Sequence, residues 1–476
     1  MVSVDKYRDK VMIGLEIHGY IETKEKLFCR CRNFHDMKKI KPNTNVCEIC
    51  TGMPGVKPML PNRTAVDKII EVALILGCKV NVVDGGKGNS DKNNKVMVFQ
   101  RKHYNWPDMP TGFQKTISGA HSDFVGVNGK FEGIRITEVH LEEDPAAWNP
   151  DSGKGNYNRA GVPLMEVVTD PEFGSSGEVE DWLKKFVLTL SYIKALNKDA
   201  GIKADVNVSI KGVSDRAEIK NVNSIREIVR AIDSEIDRHV RERPRGMETR
   251  RWNSEKGITE LMRSKEDQAD YRFIPDPDLP ALKIVRKRVD KLEKSLPESP
   301  MDKLSRIIKK HKIDKKDAGV LTGNLEIAEL FESVIEDNNL DAKFVLPWIT
   351  VEWFGVLNYN KKTMSDVEVK VGDFVELLGL VKSGKITPLM GKDIMRRFVP
   401  KSFSVLKEVG KMGKVGDVDE LKGIVLKVVK ENSKSVEDFK NGEGKALNFL
   451  VGKVMQATGK RADYVVVRKL LEGELE

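Results

Sequence analysis

Near Arg286 the apolar residues change their repeat, and no single type of layer accommodates both halves of the chain. Before that point short runs alternate apolar and polar residues between turns rich in Gly, Asn, Asp and Pro. After it Lys becomes dense, Gly-rich turns thin out and apolar residues recur at helical spacing. The fold class this predicts is α+β followed by an all-helical region. At 476 residues the chain also exceeds one ordinary core. A second boundary is expected where Pro388 to Pro400 gives way to the Gly-rich stretch Gly410 to Gly416. Beyond it Leu447, Leu450, Val451, Val454, Met455 and Thr458 fall on one face of an amphipathic helix. The expected domains are 1–290, 291–405 and 406–476.

Apolar residues make up 40% and charged residues 32%, the balance of a globular chain. Val72 to Leu76, among the longest apolar runs, is far short of the ~20 residues of a membrane helix. Met1 to Lys10 carries both signs of charge and no apolar run, so the expectation is a cytoplasmic protein with no signal peptide and no membrane partner. A net charge of +9 permits a polyanionic partner without requiring one. Five cysteines, mostly clustered, exclude a disulfide scaffold.

Four strands carry the chemistry. In Val11 to Ile21 the period of two puts Val11, Ile13, Leu15 and Ile17 on one face and Gly14, Glu16 and His18 on the other. In Ile134 to Asp144 the apolar phase slips between Ile136 and Val139, which predicts a β-bulge, and the run ends in Glu142, Glu143 and Asp144. Adjacent carboxylates repel unless cations neutralise them, and hard cations such as Mg²⁺ take oxygen ligands. Ile202 to Ile210 places Lys203, Asp205, Asn207 and Ser209 on one face. Ala217 to Asn223 shows Glu218 and Lys220, and a helix starts at once, because Ser224 to Glu227 has the form of a capping box. Each strand alone also reads as an ordinary wet face. Together they supply the groups of a nucleotide–metal cleft.

Cys29-Arg30-Cys31 and Cys47-Glu48-Ile49-Cys50 form two close pairs, a four-thiolate set suited to structural Zn²⁺, with reduced free thiols as the alternative. His35 lies between the pairs and reads either as a substitute ligand or, as a lone His more often is, as unliganded; Cys78 reads as a buried thiol after a helix ending near Gly77.

Longer strings resemble the B subunits of glutamyl/aspartyl-tRNA amidotransferases, the GatB/GatE family. They are G-L-E-I-H from Gly14, R-K-H-Y-N-W-P-D-M-P-T-G-F-Q from Arg101, H-L-E-E-D from His140 and N-R-A-G-V-P-L-M-E from Asn158. D-V-N-V-S from Asp205, E-I-K-N-V-N-S from Glu218, the run from Ser264 to Pro280 and K-A-L-N-F-L-V-G-K from Lys445 continue in the same order. The resemblance implies a cradle domain related to glutamine synthetase, a helical domain and a tail like the YqeY proteins. It implies ATP-dependent phosphorylation of the carboxylate of glutamate or aspartate carried on tRNA(Gln) or tRNA(Asn), then attack by ammonia. The ammonia would come from an amidase A subunit, with a small C subunit clamping the pair.

By the same resemblance His18, Glu143 and Glu166 hold one Mg²⁺, with Glu16, Glu142, Asp205 and Glu218 at or beside a second. Lys102 meets the ATP phosphates with Tyr104 nearby, and Asn207 and Asn221 complete the nucleotide side. Glu16, His18, Glu142 and Glu143 are expected to serve activation rather than folding. Two departures stand out: Tyr20 where the family has Gln, and Lys203-Ala204 where it has Arg-Cys. An archaeal E-type subunit would carry an inserted domain before the tail, and only a short connector follows Leu282. A silent zinc-containing RNA-binding subunit would leave the carboxylates of four strands without a role.

Overall fold

The computed structural model describes residues 7, 9–34, 40–82, 97–103, 106–119, 121–149, 151–196, 201–264, 272–336, 340–409, 418–459, 462 and 464–475. It divides into two compact units, Met1–Ser299 and Pro300–Glu476. His35, Tyr104 and Gly410 to Gly416 lie outside the described residues.

The strands of the first unit, in chain order, are β1 (Val11–Tyr20), β2 (Lys79–Val80), β3 (Gln100–His103), β4 (Phe113–Thr116), β5 (Gly126–Phe131), β6 (Ile134–Glu143) and β7 (Ala147–Trp148). Then come β8 (Gly155–Asn156), β9 (Pro163–Thr169), β10 (Ile202–Ile210), β11 (Ser214–Asn223), β12 (Glu248–Asn253), β13 (Ile258–Ser264) and β14 (Phe273–Pro275). Twelve of them form one sheet with the path β13-β12-β11-β10-β1-β9-β6-β4-β3-β14, from which β5 branches off β6 and carries β2. All neighbours are antiparallel except β11 and β12, which run parallel because a helix connects them. A separate hairpin pairs β7 with β8.

One face of the sheet is apolar, with Ile13, Leu15, Ile17, Val206, Val208 and Ile219 sealed in the core. Three helices belong to that same core: α1 (Arg63–Ile75), α2 (Ser176–Tyr192) and α3 (Ile225–Glu242). Ser224 caps α3 by accepting from the Glu227 backbone N–H, as the capping box predicts. Gly77 follows α1 at φ +69°, a turn that only Gly makes without strain, and Cys78 after it is buried. The first helix after the change of period, α4 (Arg286–Ser295), belongs to the first unit, where Arg288 reaches Asp67 of α1 at 2.6 Å.

The predicted bulge is present. Between Ile136 and Glu138 the pairing with β9 advances by one residue, from Thr169 to Val168, which leaves Thr137 as the extra residue. Val139 and Leu141 thereby return to the apolar face.

The second unit is helical and has two hydrophobic cores. One gathers Phe331, Trp353, Phe374 and Phe398, with Trp353 edge-on to Phe374 at 5.3 Å. The other is built on the helix Gly444–Ala457, whose Leu447, Leu450, Val451, Val454 and Met455 form the expected stripe. Among the described residues no helix is long and apolar enough to cross a membrane.

Candidate active site

The polar face of the sheet carries its charged groups on adjacent strands. Register alone places Glu166 of β9 opposite His18 of β1 on one side and opposite His140 of β6 on the other. Glu166 Oε2 lies 3.6 Å from His18 Nε2 and 3.9 Å from His140 Nδ1. Glu142, two residues past His140, shares that face. Its carboxylate accepts from Gln114 Nε2 at 3.0 Å and from Thr116 Oγ1 at 2.7 Å. Donor atoms of His18, Glu142 and Glu166 lie within 4.8 Å of one another.

Glu16, Asp205 and Glu218 make a second cluster of the same compactness on β1, β10 and β11. Asn207 Nδ2 donates to Glu16 Oε1 at 3.2 Å. Lys220 is inserted here, with Nζ 2.6 Å from Asp205 and 2.5 Å from Glu218. Asn221, at φ +54°, gives its backbone N–H to Asp205 and leaves its side chain exposed.

The expected pairing of glutamates is corrected at one point. Glu142, not Glu143, stands with His18 and Glu166. Glu143 follows Leu141 onto the opposite face, because successive side chains of a strand alternate. There it is buried and accepts from the Lys115 backbone N–H at 2.9 Å and from Lys115 Nζ at 3.1 Å. The Lys115 ammonium lies over the rings of Phe28 and Phe113 at 5.3 and 5.1 Å. The one signal for this was parity with Leu141.

The electrostatics show where positive charge is wanted. Burial, then the neighbouring Glu166, pushes the Glu142 carboxyl above the ordinary carboxylate range. Burial likewise raises Glu16 against the pull of Lys220. On His18 burial opposes the charge, but the bond to Glu166 and the charges of Glu166, Asp205 and Glu142 outweigh it and lift the imidazole to about 9. Burial works against the Glu166 charge too, yet His18, His140 and Lys102 hold its carboxyl far below the usual range. Lys102, on β3, is therefore within electrostatic reach of the cluster, as Glu142 also registers. Two compact sets of carboxylate oxygens, one of them with an imidazole, on a rigid sheet suit hard divalent cations.

His140 is the site residue that had no assigned role. It is buried under Phe124, stacked at 4.8 Å, with Glu138 3.4 Å from Nε2. Just past the end of β6, Asp144 binds Arg159 Nε at 2.7 Å. Both departures from the family pattern meet that pair: Tyr20 hydrogen-bonds with Asp144 and Arg159, and Lys203 lies within their field.

The four predicted cysteines come together, their sulfurs within 4.8 Å, with Cys31 and Cys50 4.0 Å apart. That spacing is the edge of a tetrahedron of thiolates around zinc. A bond from Cys29, with the nearby Lys26 ammonium, draws the Cys50 thiol down to about 5. The cysteine insert is tied to the β7–β8 hairpin by asparagines. Asn43 Nδ2 donates to Gly155 O at 3.0 Å, Tyr157 N donates to Asn43 Oδ1 at 2.7 Å, and Asn45 N donates to Asn158 Oδ1 at 2.9 Å.

A sheet whose polar face presents two cation-ready clusters beside a four-cysteine insert has matches among known proteins. Residues 11–290 match the model of the GatB/GatE catalytic domain, and residues 329–475 match that of the GatB domain. The chain belongs to the GatB/GatE family. It is 41% identical to the B subunit of the aspartyl/glutamyl-tRNA(Asn/Gln) amidotransferase of Methanocaldococcus jannaschii, over 98% of both chains. The counterpart in Methanococcus maripaludis is 40% identical over 97% of this chain and 98% of the relative. That of Methanopyrus kandleri is 38% identical over 98% and 99%. Matches of this extent leave no room for an inserted domain.

Proposed function

We propose that this chain is the activating subunit of a tRNA-dependent amidotransferase, converting Glu-tRNA(Gln), Asp-tRNA(Asn) or both to the amide in the cytoplasm. The observation that carries the reading is the pair of compact carboxylate clusters on one polar face, in a chain collinear with relatives of that name. A carboxylate oxygen of the esterified amino acid attacks the γ-phosphorus of ATP and ADP departs. Ammonia then adds to the acyl carbon, phosphate leaves, and a proton is released. His18, Glu142 and Glu166 would hold one Mg²⁺, and Glu16, Asp205 and Glu218 a second. Bound there, divalent cations supply neutralisation of phosphoryl charge.

The chain's own residues do the rest. Gln114 and Thr116 fix the Glu142 carboxylate, Glu166 orients His18, and Lys102 offers a cation for phosphate oxygens. Lys220 holds the second cluster together by charge until a cation competes for Asp205 and Glu218. Cys29, Cys31, Cys47 and Cys50 would hold a structural Zn²⁺. An amidase A subunit supplies ammonia and a small C subunit secures the pair. The first unit is read as a cradle of glutamine-synthetase type, and the terminal helices as a YqeY-like tail that contacts tRNA backbone through residues such as Lys445 and Lys453. Lys460 and Arg461 lie outside the described residues.

The test supplies charged tRNA, ATP, Mg²⁺ and ammonium to the chain assembled with its partner subunits. Amide formation on tRNA with matching ADP release is expected. Amide formation that needs no ATP, or no reaction with either charged tRNA, would overturn the reading.

A further inference from the structure

Trp106 is 57% exposed, whereas Trp182, Trp348 and Trp353 are buried and Trp252 spends its indole N–H on Glu227. An exposed tryptophan forgoes a large apolar gain, so its surroundings call for an account. Trp106 is not loose. Its ring lies 5.7 Å from that of Trp148, tilted by 52°, so that one indole braces the other and leaves a face open.

Both supporting segments are fixed. The Trp106 loop is held by Ala146 N donating to Asp108 O at 2.8 Å and by Tyr157 Oη donating to Pro107 O at 3.4 Å. Trp148 belongs to the hairpin anchored by Asn43. Arg159 donates to the carbonyls of Pro145 and Ala146 at 2.9 Å and pairs with Asp144. A short extended run, Glu142 to Trp148, therefore leads from the carboxylate cluster to the braced indoles, within about 20 Å.

We propose that Trp106 and Trp148 form a stacking platform for a purine base at the rim of the cleft, and that its occupant is the terminal adenine of the charged tRNA. The proposal rests on the amidotransferase reading. In an aminoacyl ester the reacting carboxylate and the terminal base are separated by one ribose and one amino-acid backbone, so a base held at the rim aims the side chain into the cleft. Aromatic rings take unstacked, single-stranded bases in this way. A pair of rings of which one is this exposed suits a base whose affinity is shared with a long RNA. A free nucleotide needs a pocket that covers most of its surface.

The experiment compares wild type, Trp106→Ala, Trp148→Ala and Trp106→Phe in the assembled enzyme, with ammonium as nitrogen donor. Both alanine variants should raise the KM for charged tRNA about tenfold, with the KM for ATP and kcat unchanged, and Trp106→Phe should recover most of the loss. In the free wild-type chain, an RNA hairpin ending in single-stranded CCA should quench tryptophan fluorescence, and the same RNA lacking its last adenosine should not. Trp106→Ala should abolish the quench. A rise in the KM for ATP instead would assign the platform to the nucleotide and overturn the proposal, as would unchanged constants in both alanine variants. If wild type makes no amide at all, the functional reading fails, and the quenching arm still decides whether the rings take a terminal adenine.

Discussion

Two groups of buried polar side chains in the first unit show opposite electrostatic design. On α3, Glu235 is fully buried, yet its carboxylate is satisfied: Arg238 Nε at 3.0 Å, His239 Nε2 at 3.0 Å and Thr259 Oγ1 at 2.5 Å all bind it. Arg250 approaches to 3.7 Å, and Ser214 closes the far side of His239 at 2.7 Å. Burial works against the charge, but these donors overcome it and hold the carboxyl down to about 2. On the polar face of the sheet Glu142 is just as buried, and its carboxyl is pushed up. The first group has matched its negative charge with donors and is finished as a structure. The second leaves the Glu142 carboxyl raised by burial and by its neighbour Glu166, an arrangement that an added cation would relieve, which is the pattern of a binding site rather than a scaffold.

The sharpest way to break that contrast is Glu142→Gln. Amide formation with ammonium supplied should fall about a thousandfold, the scale of several kcal/mol lost from charge stabilisation. The unfolding temperature should not drop, since a carboxyl whose charge is disfavoured by folding loses nothing when neutralised. Rates near those of wild type would remove Glu142 from the site. Glu235→Gln should do the reverse. It leaves Arg238 and Arg250 without their shared carboxylate and should cost about 3–5 kcal/mol in urea unfolding, with the turnover of the folded fraction intact.

Glu143→Gln tests the exchange of the two glutamates. It strands the Lys115 ammonium in the core and should lower stability by about 3 kcal/mol, with a smaller effect on turnover than Glu142→Gln. A silent melting curve with lost activity would return Glu143 to the metal side. The smallest effect is in pH. The Glu235 carboxyl is depressed from 4.5 to about 2, so its contribution is complete above pH 4.5 and disappears as pH falls towards 2. Between pH 4.5 and 3 wild type should lose roughly 2 kcal/mol relative to Glu235→Gln. Parallel acid profiles of the two proteins would show that the depression is absent.

Much of the site was legible because strands have a rigid period. The polar faces of β1, β10 and β11 follow from alternation, and the phase slip in β6 announced the bulge at Thr137. Alternation also separates Glu142 from Glu143, where the resemblance points the other way. What could not be read was tertiary pairing. His140 became part of the site only when β9 was laid beside β6, and Lys115 became the partner of Glu143 only through the β4–β6 edge. The Glu235 network was hidden for a similar reason: Arg238 and His239 stand one turn further on in α3, but Arg250 and Thr259 come from β12 and β13, and Ser214 of β11 reaches it only through His239.

The asparagine ties between the cysteine insert and the β7–β8 hairpin have a consequence in time. Asn45 and Asn158 are 113 residues apart, and Lys26, only 1% exposed beside Cys50, waits for the carbonyl of Tyr157, 131 residues later. At about 5–20 residues per second a ribosome needs roughly ten seconds to cover that interval. For most of it the four thiols exist without the segment that fastens their loop. The nascent chain thus passes through an interval when its cysteines are most open to oxidation, and that interval ends when the hairpin emerges.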